Sequence, residues 1–167
     1  NMTYINQKVA EPARYQTGKG SRERMEGLLQ LSDYNPPADF DPDQISWVTA
    51  NVAVTDWEGG VKAKEQGHFV ICVAGEMPQL GHVCVPIEPD FGRKQTIKTL
   101  DLIADLIHWA VTETDKKVVV HCAMGIERSV LSVVWYLHKY QSMTIDEAYD
   151  TVGNARPIAA DRRCWIR

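Results

Sequence analysis

The sequence predicts an α/β fold: a single layered domain with a central, mostly parallel sheet flanked by helices. Short apolar runs recur along the chain, and such runs are typical of buried strands. Between them lie longer segments with apolar residues at helical spacing. Strands that alternate with helices favour a parallel sheet covered on both faces. The 167 residues are enough to bury most of the apolar surface in one such domain.

The chain divides where regular hydrophobic alternation begins, at Ile45. We predict an N-terminal arm over residues 1–44 and the main domain over residues 45–167. The arm is polar and contains one candidate helix, from Ser21 to Leu31, followed by turn-forming residues. Its composition leaves open whether the arm packs on the domain.

The first half of the domain carries three strand signals. Residues 47–54 predict one strand or two short ones, and Gly59 and Gly60 are expected to break this segment. Two short apolar runs, Phe69–Val73 and His82–Ile87, predict buried strands.

The second half alternates between the two periods. Residues 96–112 predict a helix, followed by a strand over Lys117–His121. The run Ser129–Tyr140 is apolar nearly all round and predicts a buried helix, which must follow a loop at the end of the strand. Thr144 and Glu147 match a capping box that opens a last helix.

The charge balance argues against a nucleic-acid or membrane partner. The net charge is −4 and the pI is about 5.7, so no global positive field would attract polyanions. No apolar run reaches the length of a membrane span. We interpret the arginines near the C-terminus as part of a solvated, mixed-charge surface. They are Arg156, Arg162, Arg163 and Arg167.

The four cysteines are too few and too irregularly spaced for a disulfide scaffold, and none has a zinc-site spacing. They are Cys72, Cys84, Cys122 and Cys164. The sequence therefore predicts a reducing, cytoplasmic setting without a metal site. The first residues lack the basic and apolar regions of a signal peptide, so we expect no secretory leader.

Chemistry is predicted at residues 122–128, named here the 122–128 loop. The preceding strand delivers Cys122 to the carboxyl edge of the sheet, where open α/β sheets bind their ligands. Backbone N–H groups at the start of the next helix can form a nest for an anion, and Gly125 permits the turn. The same groups favour a reactive Cys122 thiolate, while the fork of Arg128 can bind two phosphate oxygens.

The stretch His121–Ser129 resembles the signature H-C-x-x-G-x-x-R-S of the protein tyrosine phosphatases, especially their dual-specificity branch. A looser similarity extends from Ile45 to Ile158. This resemblance implies that residues 45–167 are a catalytic domain that hydrolyses phosphotyrosine, and also phosphoserine or phosphothreonine, in proteins or peptides. It implies a cysteinyl-phosphate intermediate and no metal or other cofactor. The phosphate-binding residues would be Ala123, Met124, Gly125, Ile126, Glu127 and Arg128.

The remaining catalytic roles follow from the same resemblance. The general acid is expected at Asp90, in a flexible-looking segment 32 residues before Cys122, with Glu88 as its main rival. Ser129 is expected to hydrogen-bond the Cys122 sulfur and help it leave in the second step. His121 is expected to support the loop rather than act as a base.

Several alternatives stay open. A phosphoinositide phosphatase is disfavoured because Ala123, Met124 and Ile126 replace typical lysines, and an RNA 5′-triphosphatase is disfavoured by the acidic pI. A non-catalytic phosphate-binding module would have lost a catalytic group. Glu127 either faces outward or disfavours polyanionic substrates.

The other cysteines and the tryptophans are interpreted mainly as packing residues. Cys72 and Cys84 lie in apolar strands, although Cys72 could instead trap oxidised Cys122 as a disulfide. Cys164 is interpreted as incidental, and Trp57 is the one tryptophan considered for a pocket.

Overall fold

The computed structural model describes residue 37, residues 39–78 and residues 82–167. The candidate helix over Ser21–Leu31 and most of the predicted arm lie outside these residues. In the part of the chain that is described, five strands form one sheet with helices on both faces, which confirms the predicted α/β class.

The sheet is parallel except at one edge. The strands lie in the order β1-β2-β5-β3-β4, and only β1 runs antiparallel to its neighbour. Their bounds are β1 (Ser46–Trp47), β2 (Val52–Thr55), β3 (Phe69–Cys72), β4 (Val83–Cys84) and β5 (Val118–His121). The segment predicted as one strand or two is therefore two strands. β4 is shorter than the predicted run, although Val85 N–H and Ile87 N–H still donate to the carbonyls of Cys72 and Val73 beyond its end.

Four α-helices and one short 3₁₀ helix surround this sheet within the described ranges. They are α1 (Trp57–Glu65), α2 (Arg93–Glu113), α3 (Arg128–Tyr140), α4 (Ile145–Ala155) and the 3₁₀ helix Arg163–Ile166. The helices α2, α3 and α4 agree with the predicted segments. The predicted capping box is present, because Thr144 Oγ1 accepts from the Glu147 N–H and the Glu147 carboxylate accepts from the Thr144 N–H.

The prediction that Gly59 and Gly60 break the segment missed helix α1. Both glycines lie in its first turn, where the Asp56 carboxylate accepts from the Gly59 N–H at 2.8 Å. A Cβ atom at Gly60 would lie 2.7 Å from the His121 ring. These glycines are thus present because α1 packs very closely on the carboxyl end of the sheet.

The two faces of the sheet have cores of different size. Helix α1 covers a small cluster formed by Ala53, Ala63, Val70 and Val119. The larger core lies on the other face, where side chains of α2, α3 and α4 meet the alternate strand residues. Because β5 lies between β2 and β3, the residue after β5 emerges at the centre of the carboxyl edge. No helix among the described residues combines the length and apolarity needed to cross a bilayer.

Candidate active site

The 122–128 loop connects β5 to α3 and forms the floor of a cavity of about 850 Å³. Cys122 lies at its base and is 2% exposed. The walls come from three other segments, namely the residues after β3, the segment from the end of β4 into the first turn of α2, and the C-terminal residues 164–167. The wall residues are Glu76, Ile87, Glu88, Pro89, Phe91, Arg93, Thr96, Cys164, Trp165 and Arg167.

Four successive carbonyl groups of the loop, those of residues 123–126, accept hydrogen bonds from outside it. The donors are Trp57 N–H to Ala123 (3.3 Å), Arg156 Nη2 to Met124 (3.3 Å), Arg156 Nε to Gly125 (2.6 Å) and Ala160 N–H to Ile126 (2.9 Å). In a planar trans peptide the C=O and N–H bonds point in opposite directions. The N–H groups of residues 124–127 therefore point into the loop, where they can bind an anion.

This arrangement requires glycine at position 125 for two reasons. Its φ of +66° lies in the left-handed region that side chains disfavour. A Cβ atom there would also lie 2.5 Å from Arg156 Nη2 and 2.6 Å from the Thr55 carbonyl oxygen. Only glycine satisfies both the conformation and the close approach, which agrees with its predicted role in the turn.

The surroundings of Cys122 favour its thiolate. The sulfur lies 3.1 Å from Ser129 Oγ and 3.3 Å from the Gly125 nitrogen, which donates to it. Burial alone would raise the pKa of Cys122, but the Arg128 charge and the hydrogen bonds from Ser129 and Gly125 outweigh it and lower the pKa. The buried sulfur therefore favours the reactive thiolate form and faces a ring of donors.

His121 lies behind the loop, fully buried against α1. Its Nδ1 is 3.1 Å from the Cys122 carbonyl oxygen. Burial would lower its pKa, but the charge of Cys72, a hydrogen bond to Cys72 and the Cys122 carbonyl raise the pKa to about 9. A protonated His121 donates to that carbonyl at neutral pH, as a supporting residue would.

Arg128 is held by an acid that the sequence did not reveal. Its Nη1 and Nη2 donate to the two carboxylate oxygens of Glu76 at 2.7 and 2.6 Å. A guanidinium has two edges that can each bind an anion with two N–H groups. Glu76 takes the outer edge, so the edge that includes Nε can still bind an oxyanion. Glu76 lies in the loop after β3 and belongs to no recognisable sequence motif, so its contact with Arg128 could not be predicted.

Asp90 is not brought to the sulfur in the way that Arg128 and Ser129 are. It lies in an exposed turn in which the Phe91 N–H donates to the Glu88 carbonyl at 3.2 Å. Glu88 and Phe91, its neighbours in this turn, line the cavity, whereas Asp90 is not among the lining residues. The rival residue Glu88 therefore lines the cavity, and Asp90 lies beside it in the same turn.

The charge of Glu127 is neutralised within the site. Its carboxylate pairs with Nε of Arg162, and both side chains are mostly buried. Of the two predicted possibilities for Glu127, neither an outward orientation nor a repulsive rim charge describes this ion pair. Nor is Arg162 a freely solvated charge.

One further interpretation from the sequence was wrong, because Arg156 is 0% exposed and not part of a solvated surface. Trp57 packs against the main core and donates its Nε1–H to the Pro78 carbonyl, which agrees with a packing role, whereas Trp165 lines the cavity. Cys164 also lines the cavity, and its interpretation as incidental stays a prediction.

Cys72 lies one strand away from the loop. Its Cα is in register with Cys84 of β4 on one side and with His121 of β5 on the other. Its sulfur contacts the Ala74 carbonyl oxygen at 3.2 Å. The disulfide between Cys72 and Cys122 stays a prediction.

Comparison with known proteins places most of the domain in one family. Residues 61–166 match the family model described as the dual specificity phosphatase catalytic domain. The chain is 41% identical to human dual specificity protein phosphatase 26 over 59 residues, or 35% of this chain and 28% of that protein. It is 35% identical to mouse dual specificity protein phosphatase 14 over 81 residues, or 48% of this chain and 40% of that protein. The matches thus span well under half the length of these relatives.

Solved structures show the same fold. Human DUSP28 aligns with 78% of this chain and 89% of its own, with a TM-score of 0.59 and 18% identity. A human tyrosine phosphatase-like serine/threonine/tyrosine-interacting protein aligns with 73% of this chain and 90% of its own, with a TM-score of 0.61 and 18% identity. At these identities the likeness concerns the fold alone.

Proposed function

The chain belongs to the dual specificity phosphatase family, and from this premise we propose that it hydrolyses phosphate monoesters of proteins through a cysteinyl-phosphate intermediate. Phosphotyrosine is the preferred substrate, and phosphoserine and phosphothreonine are accepted. The observation that carries the proposal is the convergence of the Cys122 sulfur, the inward N–H groups of residues 124–127 and the free edge of Arg128. No metal or other cofactor takes part in the proposed reaction.

In the first step the Cys122 thiolate attacks the phosphorus atom, and the bond from phosphorus to the ester oxygen breaks. The loop N–H groups and Arg128 bind the equatorial oxygens, whose charge they stabilise in the transition state. The leaving oxygen takes a proton from Asp90, in the exposed turn beside the cavity.

In the second step a water molecule attacks the phosphocysteine and gives a proton to the Asp90 carboxylate. The bond from sulfur to phosphorus breaks, and inorganic phosphate leaves. The Ser129 hydroxyl, 3.1 Å from the sulfur, hydrogen-bonds the departing thiolate and so lowers the barrier to its release.

The walls of the cavity support an aromatic ester. Apolar side chains surround the space above the loop, and they suit a phenyl ring better than a polyanion. These side chains are Ile87, Pro89, Phe91, Met124, Ile126 and Trp165. The two arginines of the walls, Arg93 and Arg167, are balanced by Glu76 and Glu88. The walls thus have no excess of positive charge for an inositol phosphate or an RNA 5′-triphosphate, both of which carry several negative charges.

A non-catalytic phosphate-binding module is the alternative from another class. It is disfavoured because the nucleophile, the arginine and a carboxyl at the rim are all present. A thiolate nucleophile also requires a reducing environment, and we propose the cytoplasm as the place of action.

The proposal is tested by hydrolysis of an aryl phosphate by wild type and by Cys122→Ser. We expect turnover in the presence of a chelator, inhibition by vanadate, and complete loss in the variant with an unchanged melting temperature. Turnover that persists in Cys122→Ser would refute the mechanism. Vanadate binding without turnover in wild type would instead indicate the binding module. Phosphotyrosine, phosphoserine and phosphothreonine peptides of one sequence then rank the substrates.

A further inference from the structure

We propose that Arg156 is a positioning residue for the reaction: it fixes the inward orientation of the loop N–H groups from behind. The inference rests on the proposed function and extends it to a residue that touches neither the substrate nor the sulfur. Arg156 follows α4 and has a fully buried side chain. A buried guanidinium requires partners for its N–H groups, and here these partners belong to two distant segments.

All three guanidinium nitrogens of Arg156 donate hydrogen bonds. Some of these bonds reach the 122–128 loop, and the others reach residues 42–46. Toward the 122–128 loop, Nε donates to the Gly125 carbonyl at 2.6 Å and Nη2 to the Met124 carbonyl at 3.3 Å. Toward the start of the domain, the acceptors are the Gln44 carbonyl (Nη1, 3.0 Å), Ser46 Oγ (Nη1, 3.0 Å) and the Pro42 carbonyl (Nη2, 2.7 Å).

The bonds to the loop determine where two N–H groups point. The peptide that contains the Met124 carbonyl also contains the Gly125 N–H, which donates to the Cys122 sulfur at 3.3 Å. The peptide that contains the Gly125 carbonyl also contains the Ile126 N–H. Because both carbonyls face Arg156, both N–H groups must face the anion site. If Arg156 were absent, the buried Met124 and Gly125 carbonyls would lose its hydrogen bonds, and their peptide planes could rotate.

The bonds to residues 42–46 give the guanidinium a fixed base. That segment is held independently, because Thr55 Oγ1 donates to the Gln44 carbonyl at 2.9 Å and Lys62 pairs with Asp43. The Phe40 ring also lies 5.4 Å from the guanidinium carbon. Residues 40–46 therefore contribute to the geometry of the loop, although they are far from the sulfur in sequence.

The geometry requires arginine rather than a positive charge alone. A planar guanidinium offers five N–H donors in fixed directions, so it can bind the loop and residues 42–46 at once. A lysine has one nitrogen with three donors and cannot reach both sides in the same plane. Arg156→Lys therefore keeps the charge but loses part of the bridge.

The experiment compares Arg156→Lys with the matched control Arg163→Lys, whose arginine pairs with Asp161 and does not line the cavity. The readouts are the pKa of Cys122, from the pH dependence of its alkylation by iodoacetamide, and kcat/KM for an aryl phosphate. For Arg156→Lys we expect a Cys122 pKa raised by about one unit and kcat/KM lowered roughly 10- to 100-fold, while Arg163→Lys matches wild type. A folded Arg156→Lys protein with wild-type values of both would overturn the proposal.

A measurement on wild type decides the matter if Arg156→Lys does not fold. We expect the Arg156 Nε–H to be seen by NMR as slowly exchanging, before and after vanadate is added, and the Arg163 Nε–H to exchange faster. Fast exchange at Arg156 without vanadate would overturn the proposal, since the loop would then be ordered only by the anion. Alkylation of Cys122 and exchange of the Arg156 Nε–H can be measured without turnover. They therefore test the role of Arg156 even if the proposed phosphatase activity is absent.

Discussion

The 122–128 loop, which would bind the phosphate, and the turn with Asp90, which would supply the proton, differ in how firmly they are held. The 122–128 loop is held on every side: its carbonyls are bound by α1, Arg156 and Ala160, and its sulfur contacts Ser129 and Gly125. The turn with Asp90 is exposed and has one backbone hydrogen bond across it. Anion binding thus depends on a prebuilt structure, whereas the proposed proton donor lies in an exposed turn beside it.

The largest effect is expected inside the loop, at Arg128. Arg128→Lys keeps a positive charge but loses the fork, so kcat/KM for an aryl phosphate should fall about 10²- to 10³-fold. Vanadate inhibition should weaken in parallel, because the vanadate oxygens use the same edge. The control is Arg163→Lys, and a loss below tenfold at Arg128 would show that the loop N–H groups bind the anion without it.

The next effect separates the exposed turn that contains Asp90 from the 122–128 loop. Asp90→Asn should lower kcat by about 10²-fold and leave vanadate inhibition unchanged, since the loop is intact. Its matched control is Glu88→Gln in the same turn, for which we expect a kcat close to wild type. The opposite ranking of these two variants would assign the general acid to Glu88.

A smaller effect is expected at Glu76, which joins the walls to the loop. Glu76→Gln replaces the bidentate ion pair with Arg128 by one hydrogen bond from the guanidinium to a neutral amide oxygen, so the guanidinium is less well oriented. We expect kcat/KM to fall roughly tenfold, with most of the change in KM. An increase in kcat/KM would mean that Glu76 competes with the substrate for Arg128 instead of orienting it.

The smallest effect concerns stability behind the loop. Burial raises the pKa of Asp56 from 3.8 to about 7, against its hydrogen bond from Gly59 and the charge of Arg156. The folded state therefore keeps a proton that the unfolded chain has released between these pH values, and stability falls as the pH rises through that window. Asp56→Asn keeps an oxygen acceptor without the charge.

Urea unfolding of both proteins at pH 5 and pH 8 tests this sign. Between these two pH values the variant should gain about 2 to 3 kcal/mol of stability relative to wild type. A difference that does not change with pH would show that Asp56 ionises normally in the fold.

Features that depend on neighbouring residues in the sequence were predictable, whereas features that depend on distant partners were not. The 122–128 loop was predictable because Cys122, Gly125, Arg128 and Ser129 stand within eight consecutive positions after an apolar strand. The parallel sheet and helices α2 to α4 followed from local periodicity. These features require no knowledge of what packs against them.

The features that were missed depend on distant partners. Gly59 and Gly60 indicate a break in local terms, and only the nearby His121 ring explains why a helix needs them. Arg156 stands before a proline in a polar stretch, while its acceptor Pro42 is 114 positions earlier. Glu76 meets Arg128 across 52 positions. Nothing in the local sequence distinguishes Arg156 or Glu76 from a charged surface residue.

The central claim is that Cys122 carries the phosphoryl group between the two steps. Its most direct test is mass spectrometry of acid-quenched Ser129→Ala enzyme during turnover of an aryl phosphate, since slower thiolate release should let the intermediate accumulate. We expect one phosphoryl group on the peptide that contains Cys122, and none in Cys122→Ser. Turnover with no phosphoryl group on Cys122, or with the group on another residue, would contradict the account.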